Sequence, residues 1–302
     1  MLCIIIAYAY KIASPLQSSA FIKPELSPYD ITMKQDLLCL MMAYPKHISK
    51  VEQSEGQVYI VIESGKKILY DDKKSKSIED KIAYPDLQDM MEQAYPITSI
   101  EKLMEENKDP GRARVYSLLD EVYGGSKQEI DDNLVNVKVG NKVFRFNENN
   151  QAAEALKNVM RELVPLTEKR HDIRVCVFPC RGTYNYRVIA GTNRLSPHAY
   201  AIAIDLALDK RDYWQWASRK EGQKRLSSYP VELVELFERN NFIWGGKWGH
   251  FDILHFEYRP EIIMKARYFG ENKRFQKVWH DGAPAEDAYI KSCIKKIDET
   301  IK

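Results

Sequence analysis

The sequence predicts an α+β fold, a small mixed or antiparallel sheet with flanking helices, preceded by an α+β extension. Three observations carry this. Short alternating runs come as hairpins, VYIVIESGKKILYDD turning at Ser64-Gly65 and VNVKVGNKVFRF turning at Gly140-Asn141. Segments of helical period are mixed among the strands in no regular βαβ order. Finally, the stretch LSPHAYAIAIDLALD, residues 195–209, contains a strand with two unlike faces. Ile202, Ile204, Leu206 and Leu208 make a bulky face suited to a core, while Ala201, Ala203, Asp205 and Ala207 make a bare face with one carboxylate. A carboxylate on such a floor needs a partner or a task, because an unpaired buried charge is very costly.

Taken in order, Leu2 to Tyr10 is an apolar run followed by Ser18-Ser19-Ala20, and residues 1–20 read as a signal peptide for export. The competing reading is a first strand or helix, since no Lys or Arg precedes the run and Lys11 interrupts it. Asp36 to Tyr44 reads as a short buried helix, and KKSKSIEDK as a solvated loop. Asp86 to Ala94 and Ile100 to Asn107 read as helices, with a break at Asp109-Pro110-Gly111. The polar run Asn147 to Gln151 separates an N-terminal region, 21–147, from a second domain, 148–275. There, Ala152 to Leu163 reads as an amphipathic helix, Ile173 to Phe178 as a strand, Val231 to Arg239 as a helix and LHFEY as a final strand. Ile290, Ile294, Ile297 and Ile301 recur at helical spacing, which places a docked helix within 276–302.

Bulk properties limit the partners. A formal net charge of +2 gives no strong field for nucleic acid or an anionic membrane, so recognition is expected in a local site. Five widely spread cysteines without a CxxC pair indicate neither a disulfide framework nor a thiolate zinc site. Beyond the leader, nothing approaches the ~20 apolar residues of a membrane span.

The segment FIWGGKWGHFDILHFEYRP, residues 242–260, holds His250, Asp252, His255 and Glu257 close together. With His198 and Asp205 this is a set of imidazole and carboxylate donors, and catalytic zinc takes three such ligands with one position open. On a strand His255 and Glu257 share a face, so Asp252 joins them only from the preceding loop or a bulge. Spacing leaves two candidate bases, Asp252 and Glu257, and two candidate ligands, His250 and His255. In isolation His198 with Asp205 reads equally well as a pair of satisfied structural groups, and His250 reads better as a loop residue than as a ligand.

Ser196-Pro197-His198 followed by Ala201, Ala203 and Asp205 resembles the SxHxxGxAxD signature of the M15 zinc peptidases. These are D-alanyl-D-alanine carboxypeptidases, dipeptidases and phage-type L-alanyl-D-glutamate endopeptidases acting on peptidoglycan stems. Asp252-Ile253-Leu254-His255-Phe256 resembles the family's second motif, and Trp244-Gly245-Gly246-Lys247-Trp248 its approach. The resemblance spans roughly Ala152 to Arg259. It implies Zn2+ as cofactor, His198, Asp205 and His255 as ligands, and Asp252 as the base that takes a proton from the attacking water. In the loop RGTYNYR, Arg181 and Arg187 are candidate substrate-binding groups, Arg187 matching where related sequences place an arginine, and Glu257, on the His255 face, is a candidate to orient that ligand. A peptidoglycan stem peptide is the implied partner. Two departures stand out: Ala201 occupies a glycine position, which matters if the backbone there needs positive φ, and the base is Asp where several carboxypeptidases have Glu. A different class of reading is a catalytically silent, zinc-containing module that binds the cell wall.

Overall fold

The computed structural model describes residues 26–270 and 278–301, so the apolar leader and Cys3 lie outside the described residues. The first helix, Pro28–Ala43, starts from a reciprocal capping box between Ser27 and Asp30. It is buried nearly all round, through Met33, Leu37, Leu38, Leu40 and Met41, because helices pack on more than one side of it. One is Pro260–Phe269, tied to it by Lys265 to Asp36 at 2.6 Å. Another is Ala288–Thr300, which docks Ile290, Ile294 and Ile297 inward as their spacing predicts.

Next come strands β1 (Ile48–Ser54), β2 (Gln57–Ile62) and β3 (Lys67–Leu69), an antiparallel meander. The predicted second hairpin is β4 (Leu134–Val139) with β5 (Lys142–Asn147). The third sheet combines β6 (Ala203–Asp205), β7 (Phe242–Trp244) and β8 (His255–Tyr258) in the order β6–β8–β7, antiparallel throughout. Mixed helices and small antiparallel sheets make this an α+β protein. The apolar core is one contiguous cluster running from Met33 to Ile301.

Several elements differ from expectation. Ile173 to Phe178 is a helix, His171–Val177, and not a strand. Its β-branched residues suggested a strand, but the buried positions are Ile173, Cys176 and Val177, at helical spacing, while Val175 is exposed. Ile100 to Asn107 is irregular. Its backbone is met by side chains of the helix Arg219–Ser227: Gln223 accepts from Leu103 N–H at 2.9 Å, and Arg219 donates to the Met104 carbonyl at 2.6 Å. The strand expected over AIAIDLAL is only three residues long, and Leu208 leaves the core at 45% exposure to line a cleft. The helix expected from Asp86 to Ala94 is shorter, Leu87–Glu92.

Segment 109–114 packs against the third sheet. Arg259, fully buried at the end of β8, donates to the carbonyls of Gly111 at 2.5 Å and Ala113 at 3.2 Å, and to Glu261 at 2.6 Å. Glu261 in turn accepts from the Tyr44 hydroxyl at 2.7 Å. Each buried charge therefore has partners, as burial requires.

Candidate metal centre

Strand register builds the site. Asp205 and His255 are directly opposed on β6 and β8, so their side chains leave the sheet on one face. Their contact is His255 Nδ1 to Asp205 Oδ1, 2.9 Å. His198 arrives from the turn just before β6, with its Nε2 3.2 Å from Asp205 Oδ1 and 3.3 Å from His255 Nδ1. Ala201 closes that turn with φ +54°, a left-handed conformation, so the alanine adopts the backbone that glycine would favour.

A hydrogen bond behind one ring and a carboxylate behind the other set their orientation. His198 Nδ1 bonds the Thr183 carbonyl at 2.6 Å, so that nitrogen carries the proton and Nε2 presents its lone pair to the cluster. His255 Nε2 faces Glu257 Oε2 at 3.6 Å, leaving Nδ1 to point inward. Glu257 is itself clamped by Arg114, at 2.7 and 2.5 Å. Three donor atoms thus converge, and a bound ion would take the place of the proton that His255 Nδ1 shares with Asp205. Donors about 2.0–2.1 Å from a tetrahedral zinc lie about 3.3 Å apart, close to the 2.9, 3.2 and 3.3 Å separations here. Two imidazoles and a carboxylate are also a donor set that suits zinc. The residues present fit the ion.

Electrostatics reflect the same need for positive charge. Burial alone would lower His255, but hydrogen bonds to Asp205 and Glu257 push it up to about 10. Burial would raise Asp205, yet His198 and His255 hold it far below the usual carboxylate range. Asp252 goes the other way: burial, resisted by His255 and reinforced by Asp205, pushes it up to about 7.

Asp252 sits in the loop before β8, one of the two arrangements by which it can accompany His255. Its N–H donates to the Gly245 carbonyl at 2.9 Å, and its carbonyl accepts from His255 N–H at 3.1 Å. Gly245 permits this fold-back, because a Cβ there would lie 2.5 Å from the Asp252 carbonyl oxygen. Arg181 and Arg187 both line the cleft over the cluster and are exposed, with Arg181 N–H bonded to the Asp205 carbonyl at 2.9 Å. The cleft holds about 470 Å³. His250 is outside the cluster and bonds Asp109 Oδ2 at 2.6 Å through Nδ1.

Sequence reasoning missed Arg114 and Asp109. Each lies more than a hundred positions from its partner, Arg114 143 residues from Glu257 and Asp109 141 from His250. No local spacing signals such pairs.

Residues 190–258 match a family model described as D-alanyl-D-alanine carboxypeptidase. A stretch of 67 residues is 39% identical to the peptidoglycan L-alanyl-D-glutamate endopeptidase CwlK of Bacillus subtilis (strain 168), covering 22% of this chain and 40% of that protein. The chain therefore spans well under half the length of that relative. No solved structure matches.

Proposed function

We propose that this chain, an M15 peptidase over residues 190–258, hydrolyses an amide bond of peptidoglycan stem peptides with zinc held by His198, Asp205 and His255. The observation that carries the reading is the convergence of those three donors at the edge lengths of a zinc tetrahedron. Zinc there would lower the pKa of a water toward ~7 and polarise the scissile carbonyl.

The protein's own groups supply the rest. Asp252 takes the proton of the attacking water and returns it to the leaving amine. Its upward-shifted carboxyl, at about 7, suits that exchange near neutrality. Arg187, with Arg181 beside it in the cleft, offers a cation to the carbonyl oxygen as charge develops there, or to a substrate carboxylate. Glu257 fixes the His255 ring from behind.

The matched family is described by the D-alanyl-D-alanine bond and the relative by the L-alanyl-D-glutamate bond. An aspartate base is the phage-type endopeptidase pattern, so the L-alanyl-D-glutamate bond is the first to test and the terminal D-Ala the second. Such a substrate lies in the cell envelope, and the protein acts there after export. Among the described residues no helix is long and apolar enough to cross a membrane.

The test is zinc content measured alongside hydrolysis of a muropeptide panel, for the native protein and Asp252→Ala. One zinc in both, with cleavage by the native protein alone, supports the reading, and product mass names the bond. Zinc in both and cleavage by neither would replace it with a zinc-containing wall-binding module. Absence of zinc from both would remove its basis.

A further inference from the structure

The cleft is not built by the family-matched segment alone: Arg112 and Arg114 line it from a stretch well before residue 190. Arg114 is spent on Glu257. Arg112 is placed differently. Its Nη1 rests on Asp109 Oδ2 at 3.0 Å, and the side chain keeps 27% exposure. Asp109 is buried, at 4% exposure, and also receives the His250 backbone N–H at 2.9 Å and ring Nδ1 at 2.6 Å. One buried carboxylate thus pins two groups that line the cleft.

The charge layout shows what they face. The carboxylates lining the cleft are Asp205 and Asp252, both beside the metal cluster, whereas Arg112, Arg181, Arg187 and Arg194 are cations of the walls. Arg194 donates to the Ile82 carbonyl. Tyr213 bridges Asp252 backbone to backbone and lines the same cleft as Arg112 and Arg187. A guanidinium offers five N–H donors in a fork, and an anchor on Asp109 leaves an edge for a second carboxylate.

We propose that Arg112, held by Asp109, forms a carboxylate-binding subsite that selects an acidic residue of the peptide substrate. The subsite rests on the peptidase reading for its substrate, but its supporting residues lie outside the family-matched segment. A planar, pre-oriented guanidinium distinguishes a carboxylate from the carboxamide of the same shape by charge and by two parallel donors.

The experiment compares two synthetic L-alanyl-D-glutamyl stem peptides, one with the free glutamate carboxylate and one with it as carboxamide, on the zinc-loaded full chain. Native protein should favour the acid in kcat/KM by about ten- to a hundredfold, the worth of one charge-assisted contact. Arg112→Gln should collapse that ratio toward one, chiefly through KM, and Arg112→Lys should retain part of it. Melting curves of both variants report that the fold is intact. A ratio unchanged in Arg112→Gln, or absent in the native protein, overturns the proposal. Should the native protein cleave neither peptide, the L-alanyl-D-glutamate assignment fails separately. Calorimetric binding of the same two peptides to the native and Arg112→Gln proteins then decides the subsite. An acid preference that disappears with Arg112 supports it, and one indifferent to Arg112, or absent, overturns it.

Discussion

Arg114 closes on Glu257 with both ends of its guanidinium fork, Nε to Oε1 at 2.7 Å and Nη2 to Oε2 at 2.5 Å, and neither side chain is more than 7% exposed. The pair joins segment 109–114 to β8, the central strand of the metal-site sheet. Removing one partner strands a buried charge. Arg114→Gln is therefore expected to destabilise by about 3–5 kcal/mol, as breaking buried ion pairs does. Urea unfolding with the midpoint and slope both fitted measures it, and a loss under about 1 kcal/mol, typical of an exposed pair, would contradict it.

Glu257 also reaches His255 Nε2 at 3.6 Å; burial would raise its pKa, but Arg114 holds it far below the usual carboxylate range. An ionised carboxylate there makes the imidazole a stronger donor and fixes its ring. Glu257→Gln keeps the shape and removes the charge. It should weaken zinc binding by about 10–100-fold. Competition with a chelator of known affinity gives the number, and an unchanged affinity would show that Glu257 serves packing alone.

Much of the centre was legible because it rests on short-range pattern. Asp205 on a small-residue face and the Asp252 to His255 spacing are local, and strand alternation correctly put Glu257 on the His255 face. What could not be read was set by distant partners. Arg114 and Asp109 act on residues far along the chain. The run from Ile100 to Asn107 had helical composition, yet its backbone is irregular and takes side-chain partners from Gln223 and Arg219. In Ile173 to Phe178, β-branched residues outweighed the 3.6-residue period of the buried set, an ambiguity inherent in short apolar runs.

Metal uptake should release protons in a pH-dependent count. Burial favours neutral His255, but the bonds to Asp205 and Glu257 dominate and set it at about 10 in the metal-free protein. Below that pH the ion must displace this proton, so apparent zinc affinity should rise about tenfold per pH unit between pH 7 and 9. Asp252, raised to about 7, holds a second proton in more acid solution, and a nearby dication favours its loss. The slope should steepen toward two protons below pH 7. Calorimetry in buffers of differing ionisation enthalpy counts them directly, and zero released at pH 8 would mean that His255 is already neutral.

Ala201 poses a finer question, since it holds φ +54° while fully buried, at the end of the turn that presents His198. A non-glycine residue in this region costs about 1–2 kcal/mol. Glycine would relieve that strain, but it brings about 0.5–1 kcal/mol of extra chain entropy and gives up a buried methyl worth about 0.8 kcal/mol. These terms nearly cancel, which explains how alanine persists where glycine is usual. Ala201→Gly should accordingly shift stability by less than about 1 kcal/mol. Ala201→Val keeps the strained backbone, adds a β-branch and overfills a packed site, so it should cost more than about 2 kcal/mol and loosen zinc through His198. Denaturant midpoints for the two variants separate the cases. A large gain from glycine would show the alanine to be unrelieved strain, and an equally mild effect of valine would show that the turn can reshape without disturbing the centre.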